Sequence, residues 1–313
     1  MKSFIINKND ANQRLDKFIQ KSVPLLPKTL MYKYIRLKRI KINGKKGDIS
    51  LRLNEGDKVD MYINDEFFEK PKCNMDFLKA PLDLNIIYED ENIILCDKEV
   101  GLLCIPNNEE YYDTLVNRVK HYLYKKGEYS PQDELSFSPA LVNRIDRNTG
   151  GIVIGAKNAE ALRILNQKMK DRELHKYYLA VAKGKMPKDS DTLTGFITKD
   201  EVKNKVTVSK GQNSKSKEIR TKYKVLNYNG KNSLVEVELL TGRSHQIRAH
   251  FASIGHPLIG DVKYNGTQSD TYNMQLLYSY KLKFDFKTDA KSLNYLNNQE
   301  FKTENVWFLK DFK

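Results

Sequence analysis

Asp146 stands between two cations, Arg144 and Arg147, in the segment Val142-Asn143-Arg144-Ile145-Asp146-Arg147-Asn148-Thr149-Gly150-Gly151. The Asn-Thr-Gly-Gly run is a turn signal, and Ile152-Val153-Ile154 after it reads as a short buried strand. A carboxylate fixed where a loop meets a strand, with cations on both sides, is arranged to remain an anion. Such a group can serve as a nucleophile or as a base. A turn or capping aspartate is the other common use of this position, and the segment alone does not separate the two.

The 313 residues are enough for two hydrophobic cores, and no tract is of low complexity. The net charge of +14 points to a polyanionic partner, nucleic acid ahead of membrane. The excess is local: residues 1–60 hold fifteen Lys/Arg against six Asp/Glu, which has the look of a binding footprint. Cys73, Cys96 and Cys104 lack the paired spacing of a zinc site or a disulfide framework. The apolar stretch at the N-terminus is too short for a signal peptide, and no run reaches the ~18 apolar residues of a membrane span. A cytoplasmic monomer is the expectation.

The elements that must position Asp146 follow from periodicity. Leu15, Phe18 and Ile19 fall on one stripe of a short helix, and residues 28–38 form a second, with Leu30, Tyr34 and Leu37 on one side. Ile40-Lys41-Ile42 alternates, Asn43-Gly44 turns, Gly56-Asp57 marks a hairpin, and Val59, Met61 and Ile63 close the unit as a strand. Residues 66–84 carry prolines and no clear period, as a linker does. Beyond it, strands are expected near 86–87, 93–95, 177–182, 221–226 and 233–240, with a helix at 159–172.

The first unit resembles the S4-type RNA-binding domain. The matching text is Arg14-Leu15-Asp16-Lys17-Phe18, Tyr34-Ile35-Arg36, Ile40-Lys41-Ile42-Asn43-Gly44 and Glu55-Gly56-Asp57-Lys58-Val59. The resemblance implies a helical face that grips RNA phosphates, with Lys33, Arg36, Lys38 and Arg39 as candidates; such contacts position without reading sequence.

Four later segments resemble, in order, the RluA-type pseudouridine synthases: Ile87-Tyr88-Glu89-Asp90 with Lys98-Glu99-Val100-Gly101-Leu102; Asn143 to Gly151; Lys176-Tyr177-Tyr178-Leu179-Ala180; and Gly242-Arg243-Ser244-His245-Gln246-Ile247-Arg248-Ala249-His250, continuing to Asp261. The family often has His at position 143, Ser at 150 and Pro at 99. The resemblance implies an α+β chain: the S4-type unit over residues 1–65, a linker over 66–84, and a mixed, largely antiparallel catalytic sheet with flanking helices over 85–313.

It also implies a reaction. Uridine becomes pseudouridine when the C1′–N1 bond breaks, the base turns, and it rejoins through C5. Nothing is oxidised, reduced or hydrolysed overall, so neither a cofactor nor a metal is expected. Asp146 matches the family's carboxylate, Arg248 its pairing arginine, and Tyr178 the tyrosine whose ring stacks on uracil. The Tyr178 hydroxyl could help remove the C5 proton, although a phenol of pKa about 10 is a weak base. Arg144 would fill the gap left by the everted base, with Arg243 and His245 as further substrate contacts. Asp146 could attack C1′, add to the base, or take the C2′ proton.

Structured RNA is therefore the expected partner, ribosomal RNA ahead of transfer RNA. A catalytically silent RNA-binding or assembly factor on the same fold is the competing reading. A metal-dependent nucleotide hydrolase is a third, and the histidines do not favour it. His245 and His250 are five apart, about 500° around a helix, so they diverge by roughly 140°, unlike the i, i+4 pair of a zinc helix.

Overall fold

Strand alternation begins at the first residues: Phe4 and Ile6 are buried while Ile5 is exposed. They open β1 (Lys2–Ile5), followed by α1 (Leu15–Ser22), α2 (Lys28–Arg36), β2 (Ile40–Ile42), β3 (Lys45–Lys46) and β4 (Lys58–Met61). The computed structural model describes residues 1–69, 75–200, 205–266 and 272–312; Cys73 and part of the expected linker lie outside them.

The four strands form one sheet in the order β1-β4-β2-β3. Leu15, Phe18 and Ile19 of α1 are fully buried on it, each contributing roughly 1.5–3 kcal/mol of transfer free energy. The expected inward face of α2 is corrected. Met31, Tyr34 and Ile35 are buried, whereas Leu37 is exposed. The helix ends at Arg36, and Lys38, at φ 59°, turns the chain out of it. Leu37 thus falls past the last helical turn.

The larger sheet contains β5 (Ile86–Glu89), β6 (Ile93–Lys98), β7 (Ala140–Leu141), β8 (Gly150–Ala156), β9 (Leu174–Lys183), β10 (Ser190–Asp200), β11 (Lys205–Ser209), β12 (Lys217–Tyr228), β13 (Asn232–Leu239), β14 (Leu277–Phe284) and β15 (Glu300–Lys302). Its order is β11-β10-β12-β13-β9-β14-β8-β6-β5, with β15 beside β14 and β7 beside β8. Every pairing is antiparallel except β14 with β8. Helices α3 (Leu115–Lys125), α4 (Ala159–Lys170) and α5 (Gln246–Ser253) pack against it. The fold is α+β with a mostly antiparallel sheet, as the motifs imply. No described helix is long and apolar enough to cross a membrane.

One row of residues runs across three strands of this sheet. Gly151 on β8 pairs with Ser279 on β14, and Ser279 pairs with Tyr178 on β9. Gly151 has φ 113°, and a Cβ there would lie 2.1 Å from the Ser279 carbonyl oxygen. Only glycine allows this approach. The row fixes Tyr178 two strands from the loop that carries Asp146.

The small sheet is tied to the large one by polar contacts: Asn9 Nδ2 donates to Glu134 Oε1 at 2.7 Å, Ser136 Oγ to Asp10 Oδ1 at 2.5 Å, and the Ala159 amide to Asn9 Oδ1 at 3.1 Å. Phe77, just past the undescribed part of the expected linker, is buried against Leu115, Val119 and Tyr129.

Candidate active site

Asp146 sits on the loop between β7 and β8. The loop is closed by the Thr149 amide, which donates to the Asp146 carbonyl at 3.0 Å. It is held from below by Lys98, at the end of β6, whose buried Nζ donates to the carbonyls of Glu99, Leu102 and Arg147 at 2.7, 2.7 and 3.0 Å. Burial pushes the Lys98 ammonium down to about 8, with the charges of Cys104, Asp146 and Glu99 opposing the shift. Arg147 closes the same seam from the other side: its carbonyl accepts from the Gly101 amide at 2.9 Å, and its Nε donates to the Gly101 carbonyl at 3.0 Å. The carboxylate is thus carried on a loop anchored through backbone carbonyls.

Above it, Arg248 Nη1 donates to Asp146 Oδ2 at 2.8 Å. Arg248 is itself fixed by Asp261, with Nε to Oδ2 at 2.7 Å and Nη2 to Oδ1 at 2.8 Å. Ile247 and Phe251 bury one side of α5, which turns Arg248 inward beside them. Burial opposes the charged guanidinium, yet the bonds and charges of Asp261 and Asp146 push its pKa up.

His245 caps α5 in the left-handed region at φ 52°, a conformation costing on the order of 1 kcal/mol in a non-glycine residue. Its Nδ1 lies 2.9 Å from the Tyr264 hydroxyl, and its Nε2 is 4.0 Å from Asp146 Oδ1. Burial lowers the His245 pKa, the Asp146 charge opposing. His250 faces away, its Nδ1 2.9 Å from Thr221 Oγ1; the two histidines do not converge.

Tyr178 projects from β9 and is almost fully buried. Burial raises its pKa, so the hydroxyl stays protonated at neutral pH.

These side chains line one groove of about 970 Å³. Asp146, Tyr178, Arg248, Arg144, Arg243 and His245, all named from the sequence, are brought together there. Lys33, Arg36, Lys38 and Arg39 are not: they stand exposed on the first unit, in and just after α2. Among the described residues lining the groove, Asp146 is the single acid, facing nine Lys and Arg side chains.

Lys98 and Asp261 had no role expected from sequence, although both lie in the quoted segments. Tyr264 carried no signal, since its contact with His245 spans nineteen positions. The two unusual positions flanking Asp146 acquire reasons. Asn143 Oδ1 accepts from the Ile154 amide at 2.9 Å. A Cβ on Gly150 would lie 2.5 Å from the Tyr278 ring, which fills the space a side chain would need.

Comparison with known proteins gives the family. Residues 92–253 match the model of a family described as RNA pseudouridylate synthase. A Mycoplasma capricolum subsp. capricolum protein described as an uncharacterized RNA pseudouridine synthase is 34% identical over 306 residues, 96% of each chain. The ribosomal large subunit pseudouridine synthase D of Borreliella burgdorferi is 32% identical over 249 residues, covering 78% of this chain and 74% of its own. In fold, human RNA pseudouridylate synthase domain containing 1 aligns with a TM-score of 0.56 at 22% identity, over 73% of this chain and 86% of that one.

Proposed function

This chain belongs to the RNA pseudouridylate synthase family and isomerises uridine to pseudouridine in RNA, and from that premise we propose that Asp146 is the carboxylate that acts on the sugar–base bond. The observation carrying this reading is the charge pattern of the groove: among its described lining residues, one carboxylate, held by Arg248, in a wall of nine cations. A polyanionic strand can enter such a groove, and the Asp146 carboxylate inside it is aimed at what the strand delivers.

The chemistry divides among few groups. Asp146 works at C1′, at the base or at the C2′ proton; each route breaks C1′–N1, leaves uracil in the groove and rejoins it through C5. Atoms balance, since the hydrogen lost from C5 is matched by one gained at N1. Arg248 keeps the carboxylate oriented, one oxygen engaged and one free. The Tyr178 ring stacks on the uracil. Its raised pKa weighs against a phenolate as base and in favour of a ring with an O–H dipole. Arg144, exposed beside Asp146, fills the vacated position in the RNA stack. Arg243 and His245 contact the strand at the mouth, and no step calls for a cofactor or a metal.

Residues 1–65 act as an S4-type docking unit, separated by the 66–84 segment from a catalytic unit over 85–313. Lys33, Arg36, Lys38 and Arg39 are exposed and make no ion pair with a described carboxylate, as phosphate-binding side chains should. The substrate is structured RNA, large-subunit ribosomal RNA ahead of transfer RNA, and the enzyme works as a cytoplasmic monomer.

Asp146→Asn tests the assignment. Pseudouridine in cellular RNA, read by mass spectrometry, should fall by more than ~10³-fold, with RNA affinity kept. Turnover equal to wild type would remove Asp146 from the chemistry. RNA binding by both proteins with no pseudouridine from either would instead support the silent binding factor.

A further inference from the structure

Most cations around the groove are exposed side chains on its rim. Lys176 is not. It lies on β9 two residues before Tyr178, so both side chains leave the same face of the strand, about 7 Å apart. Among the described residues its Nζ has one hydrogen-bonding contact, the thioether of Met169 at 3.1 Å, and a thioether is a weak acceptor. The absence of a side chain at Gly242 leaves room for it: a Cβ there would lie 3.5 Å from Nζ. No described carboxylate pairs with it. Burial with no compensating charge depresses its pKa to about 8.

A half-buried ammonium without an anion costs folding free energy. Lys98 meets that cost with three backbone carbonyls; Lys176 has none among the described residues. Neighbouring side chains on one strand face set out about 7 Å apart, a spacing on the scale of that between a nucleotide's base and its backbone phosphate. We propose that Lys176 is a phosphate-binding residue, taking the backbone phosphate of the RNA strand next to the uridine whose base lies over Tyr178. The anion missing from the protein arrives with the substrate. This rests on reading the groove as the uridine site.

The test compares the dinucleotide UpU with its uncharged methylphosphonate analogue, titrated at low salt into the full chain and followed by NMR. Wild type should bind UpU about tenfold more tightly than the analogue, the worth of one hydrogen bond to a charged group. Lys176→Met should bind both at the analogue's affinity, and Lys176→Arg should restore most of the difference. A Lys176→Met protein that still discriminates, or a wild type that does not, overturns the proposal. Thermal unfolding adds a control: Lys176→Met should melt at or above the wild-type temperature, and a lower value would make the lysine structural. Because the readout is binding, the result stands apart from whether the groove turns uridine over, which the pseudouridine assay decides separately.

Discussion

Arg248 shares its guanidinium unequally: two nitrogens go to the two oxygens of Asp261, and the third goes to one oxygen of Asp146. Asp261 is almost wholly buried, at 1% side-chain exposure, and Asp146 is 26% exposed. One carboxylate is occupied in holding the arginine, while the other faces the groove.

Asp261→Ala therefore leaves a buried guanidinium without its main partner. The expected cost is about 3–5 kcal/mol of stability, read as a fall in unfolding temperature. Turnover should drop by roughly 10²-fold from lost orientation, with RNA affinity within a few-fold of wild type. Unchanged turnover in a stable Asp261→Ala protein would mean that Arg248 needs no second anchor. Arg248→Lys should also fail, since an ammonium cannot span both carboxylates in the fork geometry.

Tyr178 separates ring from hydroxyl. Tyr178→Phe should keep substrate affinity and lose about 10²-fold in turnover if the O–H assists proton transfer. Tyr178→Leu should lose affinity as well, because stacking on the base is worth about 1–3 kcal/mol. Full turnover by Tyr178→Phe would confine the residue to stacking.

Replacing Lys33, Arg36, Lys38 and Arg39 by alanine is a cleaner probe of docking than deleting the first 65 residues, because deletion would strand Glu134 and Ser136 without Asn9 and Asp10. If the four contact phosphates, the slope of log affinity against log salt should flatten by about 3. A slope equal to wild type would place RNA docking elsewhere.

His250 sets an acid limit on stability. Its imidazole is buried, and burial lowers its pKa to about 4, a hydrogen bond to the Thr194 backbone opposing. Between pH 6.5 and 4 the unfolded chain takes up a proton that the folded one refuses. Stability should therefore fall with pH across that window, by up to about 1.4 kcal/mol per unit. His250→Gln should give a shallower curve of melting temperature against pH there; equal slopes would show that other groups govern acid unfolding.

Much of the groove was legible because its chemistry sits in contiguous text. Asp146, Arg248 and Tyr178 each lie in a short segment whose residue types are dictated by what they touch, and the fold class followed from the same segments. What escaped depends on tertiary pairing. Asp261 is recognisable as the holder of Arg248 only after the chain after α5 folds back, and Tyr264 reaches His245 through the same return. The inward face of α2 was misread because helix length set the register: Leu37 belongs to the stripe only if the helix runs on past Arg36. Strand β14 was unassigned: in Leu277–Phe284 only the last four residues alternate lysine with an apolar side chain, yet the strand fills the middle of the sheet between β8 and β9. Helix α3 was also unassigned, although Leu115, Val119 and Leu123 stand at helical spacing.

That placement of β14 has a temporal consequence. The strand bearing the Asp146 loop and the strand bearing Tyr178 are near neighbours in the chain but do not pair with each other; residues 277–284 stitch them together. A ribosome making this protein releases both halves of the site long before the segment that joins them. Closing such a distant contact is slow compared with forming local hairpins. Until it closes, β8 and β9 each present an unpaired edge. The enzyme comes into existence late, in one step, and a chain stopped between residues 261 and 277 carries every catalytic side chain without the means to align them.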